Sequence, residues 1–174
     1  MLGLRKTCAV TFDVLQWCLR LENTGPAVLV RESTWLFPAI ETLHLIGIVL
    51  LVGSTSVLDL RLLGAALPGT SIANLTRRVL PWAWAGFLVQ LVTGGLLFAS
   101  EAVKTYPNGA FRLKMLMIVG AGLNAMMFHL TTNRRAPQWE RDRSTPIAAK
   151  IAGLTSIALW FGIVIAGRFI PYFD

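Results

Sequence analysis

The sequence predicts an all-α integral membrane protein, a four-helix bundle with an N-terminal amphipathic surface helix. Three observations support this fold class. Hydrophobic residues make up 55% of the 174 residues and charged residues only 14%, whereas soluble domains contain about 25% charged residues. Four apolar runs are each long enough to cross about 30 Å of hydrocarbon, which takes roughly 20 helical residues. Short polar connections, several of them basic, separate these runs.

The predicted spans cover residues 36–63, 79–100, 111–132 and 147–170. Pro38 lies in the first turn of the first span, Pro81 opens the second and Pro146 precedes the fourth. Proline is tolerated in the first turn of a helix, where its missing N–H would have no partner anyway. The chain is therefore divided into an interfacial segment, residues 1–34, and a transmembrane bundle, residues 35–174.

The N-terminal segment contains one candidate surface helix. Residues 11–23, "TFDVLQWCLRLEN", mix apolar and charged side chains, and "TGP" at 24–26 ends the pattern. Such a pattern is typical of a short helix that lies in the membrane interface. Packing on the outer end of the bundle would produce the same pattern equally well.

Basic residues in the connections predict the orientation. The first connection contains Arg61, Arg77 and Arg78, and the third contains five further Arg or Lys residues. Basic connections face the cytoplasm, so both termini are predicted to lie outside. The net charge of +7 is explained by topology and by anionic lipid headgroups, and it does not indicate nucleic-acid binding.

A few ionisable residues lie within the predicted spans, where charge is costly and function is the default hypothesis. Asp59 and Arg61, at the inner end of the first span, are predicted to form a structural anchor with each other or with the neighbouring arginines. The remaining five are the candidate site residues: Glu41, His44, Lys114, His129 and Arg168.

Depth in the membrane decides which candidates can meet. At about 1.5 Å per residue, His44 lies roughly 8 Å and Lys114 roughly 3 Å below the outer boundary. Glu41 and Arg168 are also near the outer ends of their spans, so these four residues form a predicted outer cluster. His129 lies roughly 25 Å deep, close to the inner face.

A bis-histidine haem site needs two imidazoles at matching depth. His44 and His129 differ in depth by about 17 Å, so one chain cannot supply both ligands to one iron. His44 can still be a single axial ligand, with Lys114 or Met117 opposite it or with the sixth position open. Lys114 and Arg168 can hold propionates.

Alternative roles stay open for both groups of residues. His129 can belong to a second site, including a bis-histidine site completed by a second copy in a homodimer, or it can form a hydrogen bond to a neighbouring helix. The outer cluster can equally be an ion-pair network, with Glu41 paired to Lys114 or Arg168.

Four segments carry a family resemblance: "ETLHLIGIVLLVGSTSVLDLRLLG" (41–64), "PWAWAGFLVQLVTGGLLFASEA" (81–102), "FRLKMLMIVGAGLNAMMFH" (111–129) and "GLTSIALWFGIVIAGRFIPY" (153–172). They resemble an uncharacterised family of bacterial four-helix integral membrane proteins. More distantly, they are similar to CopD-like copper-resistance proteins and to HemJ-type haem membrane proteins. The HemJ resemblance implies roles in haem b binding for four residues, His44, Arg61, Lys114 and His129. The resemblance to bacterial membrane proteins implies a location in the bacterial inner membrane, and the basic connections then predict periplasmic termini.

Three functions are compatible with these observations. The first is a membrane redox protein that binds b-type haem through His44 and exchanges electrons with quinone or with a partner at the outer face. The second is a copper- or proton-handling transporter. Glu41 and His44 would then bind the proton or metal along its path, and His44 and His129 are the candidate metal ligands. The third is a non-catalytic accessory subunit whose polar cluster is structural.

Overall fold

A computed structural model of the chain describes residues 13–67, 69–132 and 145–172, with the backbone alone for residues 131 and 132. Secondary structure in these ranges is entirely helical. Besides the α-helices, these ranges contain a π-helical turn, Phe128–Thr132, and a 3₁₀ turn, Ile170–Tyr172. The helices are α1 (residues 13–22), α2 (Gly25–Glu32), α3 (Leu36–Leu63), α4 (Ile72–Ser100), α5 (Ala102–Thr105), α6 (Gly109–Met127) and α7 (Ile147–Phe169).

Four of these helices, α3, α4, α6 and α7, are long and apolar enough to cross a membrane. Many of their large apolar side chains point outward, including Val49, Leu91 and Leu116. Outward apolar surface on all four helices fits a lipid environment. The chain is therefore a multi-pass membrane protein, and the predicted fold class is confirmed.

The boundaries of the second span differ from the prediction. Helix α4 begins at Ile72 and not at residue 79, so Pro81 lies inside the helix and does not open it. The first turns of α4 contain Arg77 and Arg78. Because these residues are charged, the apolar pattern did not assign them to the second span. Proline inside a spanning helix removes one backbone hydrogen bond, a loss that membrane helices tolerate through neighbouring groups.

Interhelical contacts define two ends of the bundle. The starts of α3 and α6 and the ends of α4 and α7 lie together at what we call the outer end, after the predicted orientation. The opposite, inner end contains a buried cluster of Leu62, Ile72, Phe128 and Ala149. Adjacent spans are thus antiparallel.

Packing between the four spans is uneven. Helix α3 packs along α4 and α7, and α7 packs along α6, whereas α4 and α6 have no extended backbone approach in the described part of the chain. At the outer end α4 and α6 meet through Phe98 and Phe111, whose rings stack with centroids 5.2 Å apart. Below this aromatic pair the backbones of α4 and α6 do not approach each other closely.

Glycine permits the close contact of α3 with α4. A Cβ atom on Gly86 would lie 2.5 Å from the backbone nitrogen of Leu51 and 3.0 Å from the carbonyl oxygen of Gly47. Only a residue without a side chain fits at such a crossing. This crossing sets the rotation of α3 and so decides which α3 side chains face the interior.

The N-terminal helices pack on the outer end of the bundle. The Glu22 carboxylate on α1 accepts a hydrogen bond of 2.8 Å from the backbone N–H of Val103, and Cys18 is only 5% exposed. Trp17 on the same helix is 69% exposed, so α1 is amphipathic as predicted. Of its two predicted placements, the helix takes the one against the bundle. Residues 1–12 of the predicted interfacial segment lie outside the described residues.

Candidate functional site

His44 is held against α4 by a hydrogen bond from its side chain to Thr93. The Nδ1 and Oγ1 atoms are 2.8 Å apart, and Thr93 is only 2% exposed. The Thr93 hydroxyl donates its single proton to the carbonyl oxygen of Val89, at 2.6 Å. Since a hydroxyl has one proton to give, Oγ1 is the acceptor toward His44.

The Thr93 bond therefore selects the tautomer of His44. Because Nδ1 donates, a neutral imidazole carries its proton on Nδ1 and has a lone pair on Nε2. This is the arrangement by which proteins orient a metal-ligating histidine, one ring nitrogen donating to the protein and the other free for the metal.

Two further contacts position the same ring. The Gln90 side-chain amide donates to the His44 backbone carbonyl, which ties the α3 backbone to α4. At Gly94, a Cβ atom would lie 3.2 Å from Cε1 of His44, so the ring packs against bare α4 backbone. Gln90, Thr93 and Gly94 thus fix the position of His44 together.

Lys114 lies at the same end of the bundle as His44. Its ammonium group is within electrostatic range of the His44 ring, and a Cβ atom on Gly167 would lie 3.2 Å from Nζ. Lys114 is half-buried, with its side chain lying across α7. The stacked Phe98 and Phe111 rings lie roughly 4–8 Å outward of this level, at about 1.5 Å per residue.

The other two members of the predicted outer cluster are not joined to this pair. Glu41 and Arg168 are both exposed. Within residues 13–67, 69–132 and 145–172 the ion pair present is Arg31 with Glu22, at 3.9 Å. The predicted ion-pair network between Glu41 and Lys114 or Arg168 is therefore not formed there. Exposed charges at a helix end gain little from pairing, because water screens them.

His129 lies at the other end of the bundle. It is exposed, its ring is 6.0 Å from the Phe128 ring, and both residues belong to the π-helical turn that continues α6. The predicted separation in depth from His44 is thus confirmed. The chain therefore has a single histidine at each end of the bundle.

Met117, the other predicted partner of His44, packs against α7. A Cβ atom on Gly162 would lie 2.7 Å from its sulfur. Among the described residues, no three His, Cys, Asp or Glu side chains come together in a group suited to a metal ion.

The predicted anchor at the inner end of α3 is wrong. Arg61 donates from Nε to the carbonyl oxygen of Thr70, at 2.8 Å, and the Asp59 carboxylate instead accepts a hydrogen bond from the Ser156 hydroxyl. Asp59 faces the interior because the glycine crossing rotates α3 that way, whereas Arg61 points to the connection that follows. This buried carboxylate is the main polar feature that the sequence did not predict.

Comparison with known proteins gives one match. The family model described as "Family of unknown function (DUF6644)" matches residues 36–173, which include all four spans. No curated protein matches the chain, and no solved structure matches it. The distant similarity to CopD-like and HemJ-type proteins stays a prediction.

Proposed function

The chain belongs to the family of unknown function DUF6644, and we propose that it is a membrane redox protein that binds one b-type haem at its outer end through His44. The observation that carries this proposal is the hydrogen bond from Nδ1 of His44 to Thr93. It leaves Nε2 with a free lone pair at a half-buried position inside a membrane bundle.

The residues present fit a group held by one histidine. His44 would supply Nε2, and Thr93 would keep the ring in the required tautomer and orientation. Lys114 would face a propionate, since its ammonium group lies at the same level and a cation inside a span favours an anionic partner. Arg168, exposed near the outer end of α7, is suited to a second propionate near the headgroups.

Haem bound there would supply one-electron redox chemistry. The chain's own contribution is a low-dielectric setting in which Thr93 and Lys114 act on the ligand and on the charge of the group. The side of the bundle between α4 and α6, where the two backbones do not approach closely, would connect this site to the bilayer, so an apolar electron carrier such as a quinone is one candidate partner. A redox protein at the outer face is the other.

The test is the visible spectrum of the detergent-purified protein, with the two histidines as a matched pair. We expect a Soret band and reduced α and β bands in the wild-type protein and in His129→Ala, and their loss in His44→Ala. Helical circular dichroism checks that each variant is folded. In His44→Gly, added imidazole should restore the Soret band, because the missing ligand is supplied from solution.

Two outcomes would contradict the haem proposal. Folded wild-type protein that binds no haem, even when haem is supplied during expression, would overturn it. Equal haem content in His44→Ala and wild type would exclude His44 as the ligand. Metal analysis of the same samples tests the alternative: copper bound to the wild type and lost in His44→Ala would favour copper handling.

A further inference from the structure

A cavity of about 140 Å³ lies between all four spans toward the inner end, away from His44. This volume is several times the minimum of about 10–15 Å³ that admits one water molecule, so the cavity is larger than a packing defect. Most of its lining surface is apolar, but each of the four helices contributes at least one oxygen-bearing side chain. These side chains are Ser54, Thr55, Asp59, Thr76, Asn124 and Ser156.

Asp59 is the charged residue in this wall, and it is 6% exposed. Ser156 donates to its carboxylate, but the Oδ2 atom has no hydrogen-bond partner among the described residues. The hydroxyl oxygen of Thr76, across the cavity on α4, is likewise buried and unpartnered there. A buried carboxylate oxygen without a partner is strongly destabilising in a medium of low polarity, because neither water nor a protein donor replaces the lost hydrogen bond.

The neighbouring polar groups do not supply the missing donor. Thr55 donates to the carbonyl oxygen of Leu51, at 2.9 Å, and Asn124 donates from Nδ2 to the carbonyl oxygen of Ala152, also at 2.9 Å. Arg61 donates its Nε–H to the carbonyl oxygen of Thr70 and makes no hydrogen bond to Oδ2 of Asp59. The wall therefore presents one carboxylate and several neutral oxygens to whatever occupies the cavity.

Charge balance indicates the class of occupant. One carboxylate surrounded by neutral oxygens neutralises one positive charge, whereas a divalent ion would leave a net charge inside the membrane. Oxygen ligands of this kind suit hard cations rather than soft metals. We propose that Asp59 binds a small monovalent cation, sodium or a proton, in this cavity together with the hydroxyl groups of Thr76 and Ser156.

The cavity has one open and one closed side. The buried Leu62, Ile72, Phe128 and Ala149 cluster seals it toward the inner end. Leu80 on α4 is 38% exposed and His129 is exposed, so the open side lies between α4 and the π-helical turn that follows α6. His129 belongs to this π-helical turn, and π-helical turns are frequent at functional sites.

The test is thermal unfolding of the full-length protein in detergent, with sodium chloride replaced stepwise by choline chloride at constant ionic strength. Ligand binding to the folded state raises the unfolding midpoint with ligand concentration. If sodium is the cation, the midpoint of the wild type rises by several degrees and that of Asp59→Asn does not. Glu41→Gln is the matched control, because it removes an exposed carboxylate at the other end of the same helix.

A second arm identifies a proton as the cation. The pH dependence of the unfolding midpoint is measured without sodium in a His129→Gln background. This background is used because His129 is the other titratable side chain in the cavity wall. The described lining residues on α4 and α7 do not titrate. A proton site predicts that stability increases as the pH falls and that Asp59→Asn abolishes this dependence.

Absence of both responses in the wild type, or equal responses in Asp59→Asn, would overturn the proposal. If Asp59→Asn does not fold, Thr76→Val takes its place, because it removes the second unpartnered oxygen and preserves the side-chain shape. It should weaken the sodium or proton response several-fold, and an unchanged response would overturn the proposal. Retention of a Soret band in Asp59→Asn would separate this site from the haem proposal.

Discussion

Nδ1 of His44 and Oγ1 of Thr93 are 2.8 Å apart and join the first two spans at the outer end of the bundle. The contact has two consequences. It replaces a hydrogen bond to water that the imidazole loses inside the membrane, and it decides which ring nitrogen carries the proton. Stability and ligand chemistry therefore depend on the same buried hydroxyl group.

Thr93→Val tests both consequences without changing the volume of the side chain. Valine has the shape of threonine but cannot accept from Nδ1, so we expect unfolding to become easier by about 1–3 kcal/mol. Haem affinity should fall roughly 10–100-fold, the usual effect of losing the group that orients a metal-bound histidine. Haem titration and thermal unfolding measure the two effects.

Thr93→Ser is the control for that variant, because it keeps the hydroxyl group and removes only a methyl group. It should retain most of the haem affinity. If valine and serine at this position behave alike while His44→Ala abolishes binding, the Thr93 bond does not orient the ligand.

The α3–α4 crossing predicts a strong difference between two glycines of the same helix. A Cβ atom on Gly86 would collide with the Leu51 backbone, whereas a Cβ atom on Gly95 has open space around it. We expect Gly86→Ala to cost about 1–3 kcal/mol, as overpacking does. Gly95→Ala should be neutral or stabilising by up to about 1 kcal/mol, the gain in helix propensity. Equal unfolding midpoints for the two variants would contradict this crossing geometry.

The sequence was sufficient for features that depend on distance along a helix. The first span was predicted at residues 36–63 and is observed at Leu36–Leu63, because a long apolar run has no other stable placement. The separation of His44 from His129 followed from residue counting alone. Hydropathy and the constant rise of a helix determine both features.

Features that depend on helix rotation could not be predicted in this way. Asp59 and Arg61 are two residues apart and look like partners in the sequence, yet one faces the cavity and the other faces Thr70. Their directions follow from the rotation imposed where Gly86 meets α3. Thr93 was missed as a partner of His44 for the same reason, since the pairing depends on the register between two helices.

Docking of α1 predicts protection of the Cys18 thiol. In a Cys8→Ser background, a water-soluble maleimide should label the folded protein slowly, because Cys18 is 5% exposed. Glu22→Ala removes the acceptor for the Val103 N–H, so labelling should become several-fold faster. Glu32→Ala, on the exposed side of α2, should leave the rate unchanged. Equal rates in the two variants would mean that the membrane and not the bundle protects the thiol.

Asn108 should contribute to stability through two separate hydrogen bonds. Its Oδ1 atom caps α6 by accepting from the Phe111 N–H, at 3.1 Å, and its Nδ2 atom donates to the carbonyl oxygen of Ile170, at 3.0 Å. Serine can cap a helix but is too short to reach α7. We therefore expect Asn108→Ala to destabilise the protein more than Asn108→Ser does, by about 1 kcal/mol, which is the usual value of a cap.

The remaining difference between Asn108→Ser and the wild type then measures the link between α6 and the end of α7. Hydrogen bonds between membrane helices contribute about 0.6 kcal/mol on average, so this difference should be small but resolvable in unfolding of the detergent-solubilised protein. If serine and alanine are equally destabilising, the cap contributes nothing and the stabilising effect of Asn108 does not come from capping α6. If serine matches the wild type, the interhelical bond is dispensable and capping alone accounts for the residue.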